Sequence, residues 1–203
     1  MLRQTHGAVL ETPNGKFGSL QKMDKEIRYT ILSTRWGYFG LMGAPEGLRY
    51  TSLPVATRGE AGGILLAHRP SARYDSRLFV GLQEQIKAYF GGTYVEFSPV
   101  PVDLAGFSAF AGKVLLACRK IPWGQTVSYS QLAQLAHSPK AVRAAGSVMA
   151  QNPMPLVIPC HRVIRSDGSV GNFSAPGGRN LKQRLLDLEA GNHLGEQERL
   201  HGV

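Results

Sequence analysis

Asn152-Pro153-Met154-Pro155-Leu156-Val157-Ile158-Pro159-Cys160-His161-Arg162-Val163 sets a thiol beside an imidazole, directly after a short apolar run bracketed by prolines. Proline fixes φ, so the backbone leading to Cys160 is stiff. The apolar run belongs at the edge of a core, and the segment is expected to be a strand carrying Cys160. Consecutive strand side chains point to opposite faces, so a direct Cys160–His161 hydrogen bond is not assured and a bridging water is the expected link. A free thiol has a pKa near 8.5, and only the thiolate is a nucleophile, so Cys160 needs activation.

Downstream lies a Gly-rich loop, Val170-Gly171-Asn172-Phe173-Ser174-Ala175-Pro176-Gly177-Gly178. Asn180 then fits the N-cap of a final helix, Leu181 to Ala190, closed by Gly191-Asn192. Leu181, Leu185 and Leu188 form its apolar stripe, and Glu189 falls near the same face. A carboxylate there needs a partner if buried, and His161 is the natural one. On pattern alone Glu189 reads as a surface charge, because an acid at a helix C-terminus opposes the dipole.

Upstream, Ser128-Tyr129-Ser130-Gln131 has the form of a capping box and predicts a helix from Tyr129 to Ala136. His137 and Ser138 break it. Ser138-Pro139 predicts a second helix, with serine as N-cap and proline in the first position, running to about Ala150 and stopped by Asn152-Pro153. Two short helices across a tight break form a helix-turn-helix pattern. Ala141, Ala144, Ala145, Gly146 and Ser147 are small, with Lys140 and Arg143 among them. Small residues suit tight helix packing, whereas the two cations favour a nucleic-acid surface.

These segments, in order from about Phe110 to Gly191, resemble the O6-alkylguanine-DNA alkyltransferases, whose active-site signature is Pro-Cys-His-Arg-Val after an Asn-Pro turn. The resemblance implies repair of O6-alkylguanine, and of O4-alkylthymine, by stoichiometric and irreversible transfer of the alkyl group to Cys160. It implies a Cys160–water–His161–Glu189 relay, with Tyr129 donating to guanine N3 and Asn152 bracing the turn before the cysteine. It places the second helix in the minor groove, where Arg143 fills the stack behind a flipped base, with Lys140, Ala141, Ala144 and Ser147 on the same surface. A flipped base suits this chemistry, since a guanine O6 substituent lies inside the duplex. Phe173, Ser174, Val163 and Met149 would form the base pocket: Phe173 as cover, the Ser174 backbone on O6, the carbonyls of Cys160 and Val163 on the exocyclic amine, Met149 as an apolar wall. Some members have tyrosine where this chain has Phe173. The product thioether is not readily cleaved, so each molecule reacts once. No cofactor is implied. Some members hold a structural zinc in the N-terminal domain, but this chain has no cysteine before Cys118, which speaks against a cysteine-containing zinc site there.

The first half is read from pattern. Residues 1–26 are polar and punctuated by Gly and Pro, a loose start. Strands are predicted at Ile27–Thr34, Trp36–Met42 and Gly47–Leu53, an antiparallel meander; residues 55–73 read as loop. A helical stripe runs from Ser76 to Phe90, and Thr93–Leu104, with Pro99 and Pro101, reads as a linker. Phe107–Arg119 reads as a helix and Pro122-Trp123-Gly124 as a turn. The expected fold class is α/β (α+β) in two domains. Residues 1–100 form a sheet-plus-helix domain, ribonuclease-H-like by resemblance, and residues 101–203 a mostly helical domain with the helix-turn-helix.

Composition bounds the function. The net charge is +9, and from Asp103 to Ala190 ten Lys/Arg face four Asp/Glu, so the half carrying Cys160 is itself basic and suited to a polyanion. Two cysteines, Cys118 and Cys160, without CxxC spacing, support neither a disulfide framework nor a zinc finger, and Cys118 reads as a core residue. No apolar run reaches membrane-spanning length and no signal segment is evident, so the expectation is a cytoplasmic monomer, nuclear in a eukaryote, acting on alkylated double-stranded DNA without a membrane. Two other classes compete. A non-catalytic lesion sensor would carry another residue at position 160. A cysteine hydrolase would turn over repeatedly, and no oxyanion motif supports it.

Overall fold

The computed structural model describes residues 27–191. The segment 1–26 and Asn192 lie outside them. The architecture is mixed α+β. Strands β1 (Arg28–Thr34), β2 (Gly37–Ala44) and β3 (Gly47–Val55) form the expected antiparallel meander, and a two-residue β4 (Arg73–Tyr74) joins β1 in parallel, giving the order β3-β2-β1-β4. The β1 core run is buried on both sides: Ile31 packs with Val55 and Ala61, while Leu32 joins the main core with Phe39 and Leu41.

The layer over Ile31 corrects the loop expected from the sequence. Residues 55–73 are not all loop, because Arg58–His68 forms helix α1. Thr57 caps it by accepting from the Glu60 amide at 3.1 Å. Gly62 and Gly63 lower helix propensity and mask it in the sequence. Burial of Ala61, Gly62 and Leu65 against the sheet overrides that cost. The approach is close enough that a Cβ on Gly40 of β2 would lie 2.7 Å from a Leu65 methyl, so a larger residue there would push α1 away.

On the other face lie α2 (Val80–Phe90) and the second half of the chain: α3 (Ala109–Arg119), β5 (Val127–Ser128), α4 (Tyr129–Leu135), α5 (Val142–Ala150), a 3-10 turn (Cys160–Arg162), β6 (Val163–Ile164) and α6 (Gly178–Glu189). The helix predicted from Ser76 begins at Val80, after Phe79 in the left-handed region. A single apolar cluster runs from Leu32 to Leu188, so the core is continuous across residue 100. The Thr93–Leu104 segment is a strap rather than a free linker. Leu48 of β3 donates to Pro101 and accepts from Asp103, both at 2.8 Å, and Arg49 pairs with Asp103 at 2.6 Å. Further along the same edge, the Thr51 amide donates to Pro153 at 2.9 Å and its hydroxyl to Pro155 at 2.7 Å. The β3 edge is thereby covered, and the sheet of the first half grips the segment that leads to Cys160.

Candidate active site

The chain reaches Cys160 through a series of tight turns. Helix α5 ends at Gln151, and the Asn152 side chain folds over the segment between it and the cysteine. Its Oδ1 accepts from the Met154 amide at 3.1 Å, while Nδ2 donates to Ile158 O at 2.7 Å and to Cys160 Sγ at 3.1 Å. Leu156 sits at φ 80°, a conformation that costs a bulky residue about 1–3 kcal/mol and persists only where the surroundings impose it. Those surroundings are a buried side chain, 1% exposed, and the β3 contacts on Pro153 and Pro155. Pro159 (φ −80°, ψ 66°) centres an inverse γ-turn closed by the Cys160 amide on Ile158 O at 2.8 Å. Cys160 therefore opens a 3-10 turn, not a strand; the strand, β6, starts only at Val163, parallel to β5.

Burial pushes the Cys160 thiol pKa up; the Asn152 amide, the Lys182 charge and the backbone N–H groups of Cys160 and His161 pull it back. The next residue along the chain enters a buried polar set. The buried His161 shares Nε2 with Glu189 Oε1 at 2.8 Å, and its Nδ1 has no partner among the described residues. A carboxylate only accepts, so Nε2 carries the proton and Nδ1 is the free lone pair. Burial also lowers the His161 pKa, which keeps the ring neutral and leaves that lone pair unprotonated. Glu189 is not at the surface. It accepts from His161, from Tyr89 Oη (2.7 Å), from the Gly124 amide (3.2 Å) and from both Nε and Nη2 of Arg162 (2.8 Å each). Burial opposes its charge, but the His161 and Arg162 contacts hold the carboxyl far below the ordinary range. Arg162, not His161, supplies the counter-charge, so His161 can stay neutral beside a carboxylate.

Cys160 opens onto a cavity of about 340 Å³ lined also by Tyr129, Met149, Phe173, Ser174 and Lys182. Burial and the nearby Cys160 raise the Tyr129 pKa, so it remains a phenol able to donate. Ser174 Oγ donates to Ala150 O at 2.7 Å and ties the Gly-rich loop to the end of α5. Val163 is fully buried and outside this lining; its carbonyl accepts from Lys182 Nζ at 2.5 Å, while the Cys160 carbonyl accepts from the Val163 amide.

The outer wall of the cavity is α5. Arg143, Ala144 and Ser147 are exposed on it, and Ala141 and Lys140 precede it. The Arg143 side chain has no partner among the described residues. The Ser138-Pro139 helix start is a correction: α5 begins at Val142 without a side-chain cap. Instead, Ser138 N donates to Ala133 O and His137 N to Gln134 O, with His137 at φ 54°. That is a Schellman closure of α4, and it commits Ser138 to the end of the first helix. The capping box at Ser128 and Gln131 is present. Helix α6 also starts earlier than expected, at Gly178 after a left-handed Gly177, so Asn180 is inside it rather than capping it.

Residues 109–191 match the family model described as 6-O-methylguanine DNA methyltransferase, DNA binding domain. A human methylated-DNA–protein-cysteine methyltransferase is 35% identical over 181 residues, covering 86% of each chain. The chain belongs to the methylated-DNA–protein-cysteine methyltransferase family. Members from Mycolicibacterium paratuberculosis and Methanothermobacter thermautotrophicus are 42% and 41% identical, over 56% and 53% of this chain, but the matches span only 66% and 59% of those relatives. The O6-methylguanine methyltransferase of Mycobacterium tuberculosis superposes with a TM-score of 0.67 at 32% identity, covering 81% of this chain and 93% of that one, and a structure of that protein in complex with DNA superposes equally well.

Three polar residues of this family member's site are not singled out by sequence reasoning. Arg162 stands inside the signature without a role assigned to it. Lys182 precedes Leu185 by three and Glu189 by seven, a helical spacing that puts it on the buried face. Tyr89 comes from α2, a hundred residues before its partner, and no local signal joins them. Among the described residues no group of His, Cys, Asp and Glu is arranged to hold a metal ion. No described helix is long and apolar enough to cross a membrane.

Proposed function

We propose that the protein repairs DNA by moving the alkyl group of O6-alkylguanine, and of O4-alkylthymine, onto Cys160, once per molecule. The observation that carries this reading is the buried Cys160 thiol at the floor of a base-sized cavity, held by Asn152 and backed by a neutral His161 on Glu189. His161 Nδ1, acting through a water, takes the thiol proton, and Glu189 stabilises the imidazolium formed. The sulfur attacks the alkyl carbon in line, a C–S bond forms, the C–O6 bond breaks, and its electron pair leaves with guanine. Tyr129 donates a proton to the departing base at N3. The thioether product has no route back to thiol, and the chemistry calls for no cofactor.

The exposed α5 face supports minor-groove binding by a helix-turn-helix made of α4 and α5, with Arg143 filling the gap behind a flipped nucleotide. Phe173 covers the base, and Met149 forms an apolar wall of the cavity. The first half is read as ribonuclease-H-like, and the protein is read as acting as a monomer. The test mixes a known amount of protein with a duplex carrying one O6-methylguanine with a labelled methyl group, and then locates the label by peptide mass analysis. About one methyl per protein on Cys160, absent in Cys160→Ala, is expected. Tight lesion binding without transfer would refute the reading and point to a lesion sensor.

A further inference from the structure

Two cations, Lys182 and Arg165, line the cavity at Cys160. Lys182 is committed, being buried with Nζ donating to Val163 O. Arg165 is exposed, and its side chain makes no hydrogen bond or ion pair among the described residues. Its backbone is nevertheless fixed. The Arg165 carbonyl accepts from the Gly168 amide at 3.0 Å, and its amide donates to Ser169 O at 2.9 Å. Asp167, within the same turn, directs its carboxylate onto the Ser169 amide at 2.9 Å. The Arg165 side chain lies across the Gly-rich loop, so that a Cβ on Gly171 would sit 3.5 Å from its Cγ and 3.6 Å from its Nε. The residue thus spans from the cavity to solvent, on the loop side of the mouth.

A flipped nucleotide says what meets it there. The base enters the cavity, but the sugar and the two flanking phosphates are tied to the duplex on both sides and stay at the mouth. No Asp or Glu lines the cavity to repel them. A guanidinium presents a planar fork of donors that matches phosphate oxygens. We propose that Arg165 binds a phosphate flanking the flipped nucleotide, and so selects the flipped state rather than duplex DNA in general. The phosphates of a stacked nucleotide follow the duplex and stay away from the mouth, so the contact forms only on flipping. An interaction made in one state and absent from the other shifts the equilibrium toward the first. Arg143 and Arg165 then have separate tasks: one fills the gap in the stack, the other holds the backbone of the nucleotide that has left it. This rests on the base flipping proposed above.

Three probes test it: an undamaged duplex, the same duplex carrying one O6-methylguanine, and free O6-benzylguanine base. Binding is measured with Cys160→Ala protein, which cannot react. Adding Arg165→Ala should weaken binding to the lesion duplex about tenfold, as for loss of one charge-assisted hydrogen bond. It should also lower the slope of log affinity against log salt by about one on that duplex. Affinity for the undamaged duplex should change by less than about twofold, because no phosphate contact is lost there. With Cys160 in place, Arg165→Ala should react with the free base at the unaltered rate, and Arg165→Lys should keep the salt slope on the lesion duplex. Equal losses on both duplexes, slower reaction with the free base, or no loss on the lesion duplex would overturn the inference while leaving the proposed function intact. Absence of methyl transfer from the lesion duplex by the intact protein would overturn both.

Discussion

Around Glu189, five hydrogen bonds from four residues converge on one carboxylate in the interior, while on α5 the Arg143 guanidinium stands in solvent without a partner among the described residues. Both regions are charged and both border the same cysteine, yet they differ in what their charges are for. The Glu189 carboxylate is satisfied within the fold, so the energy of that set goes into holding His161 neutral and oriented. The surface set is unsatisfied, so its energy remains for a partner. A substitution in the first should therefore be felt as stability and chemistry, and one in the second as binding alone.

The largest expected effect is Glu189→Ala. It strands Arg162 in the core, and breaking a buried pair in this way costs about 3–5 kcal/mol. The shift in urea midpoint at constant slope measures it. A loss below about 1 kcal/mol would mean that water reaches the guanidinium and that the interior is not dry. Tyr89→Phe is the next probe, since it deletes one donor that crosses from α2 to α6. A hydrogen bond to a charged group contributes about 1.5–3 kcal/mol. Because Oε1 keeps two other donors, the lower end is expected, read in the same unfolding experiment.

The same contrast explains what is legible in the sequence. Cys160, His161, Asn152 and Tyr129 sit in short patterns whose chemistry is local, and the structure brings Asn152 and Tyr129 to the thiol and puts His161 on Glu189. Helix α1 is hidden because two glycines lower its propensity, and only the packing shows that Gly62 lies close against Ile31 and Leu65 close against Gly40. The start of α5 is not legible because Ser138 serves the preceding helix, a competition that a cap pattern cannot resolve. Tyr89 and the β3 grip on Pro153 and Pro155 are long-range contacts with no period in the sequence.

Acid should also separate the two regions, more gently. His161 and Glu189 are both depressed in the folded state, from reference values of 6.5 and 4.5. Above pH 6.5 neither costs stability. As pH falls below 6.5 the unfolded chain gains the His161 proton first, and below 4.5 the Glu189 proton too, so stability falls, by at most about 1.4 kcal/mol per pH unit for each proton. His161→Phe should remove the first of these losses in a urea titration across pH 5 to 7. An unchanged slope would show that His161 does not carry it.

Arg143→Ala should have the smallest effect on the fold and so tests the other side of the comparison. An exposed side chain that touches nothing contributes within about 0.5 kcal/mol to stability. If the guanidinium is held in reserve for DNA, the same variant should weaken binding to a lesion duplex by about 1–3 kcal/mol, and Cys160 should react as before with a free O6-alkylguanine base that needs no flipping. Equal losses on duplex and free base would place Arg143 in the chemistry instead, and the division between a self-satisfied interior and an unsatisfied surface would no longer hold.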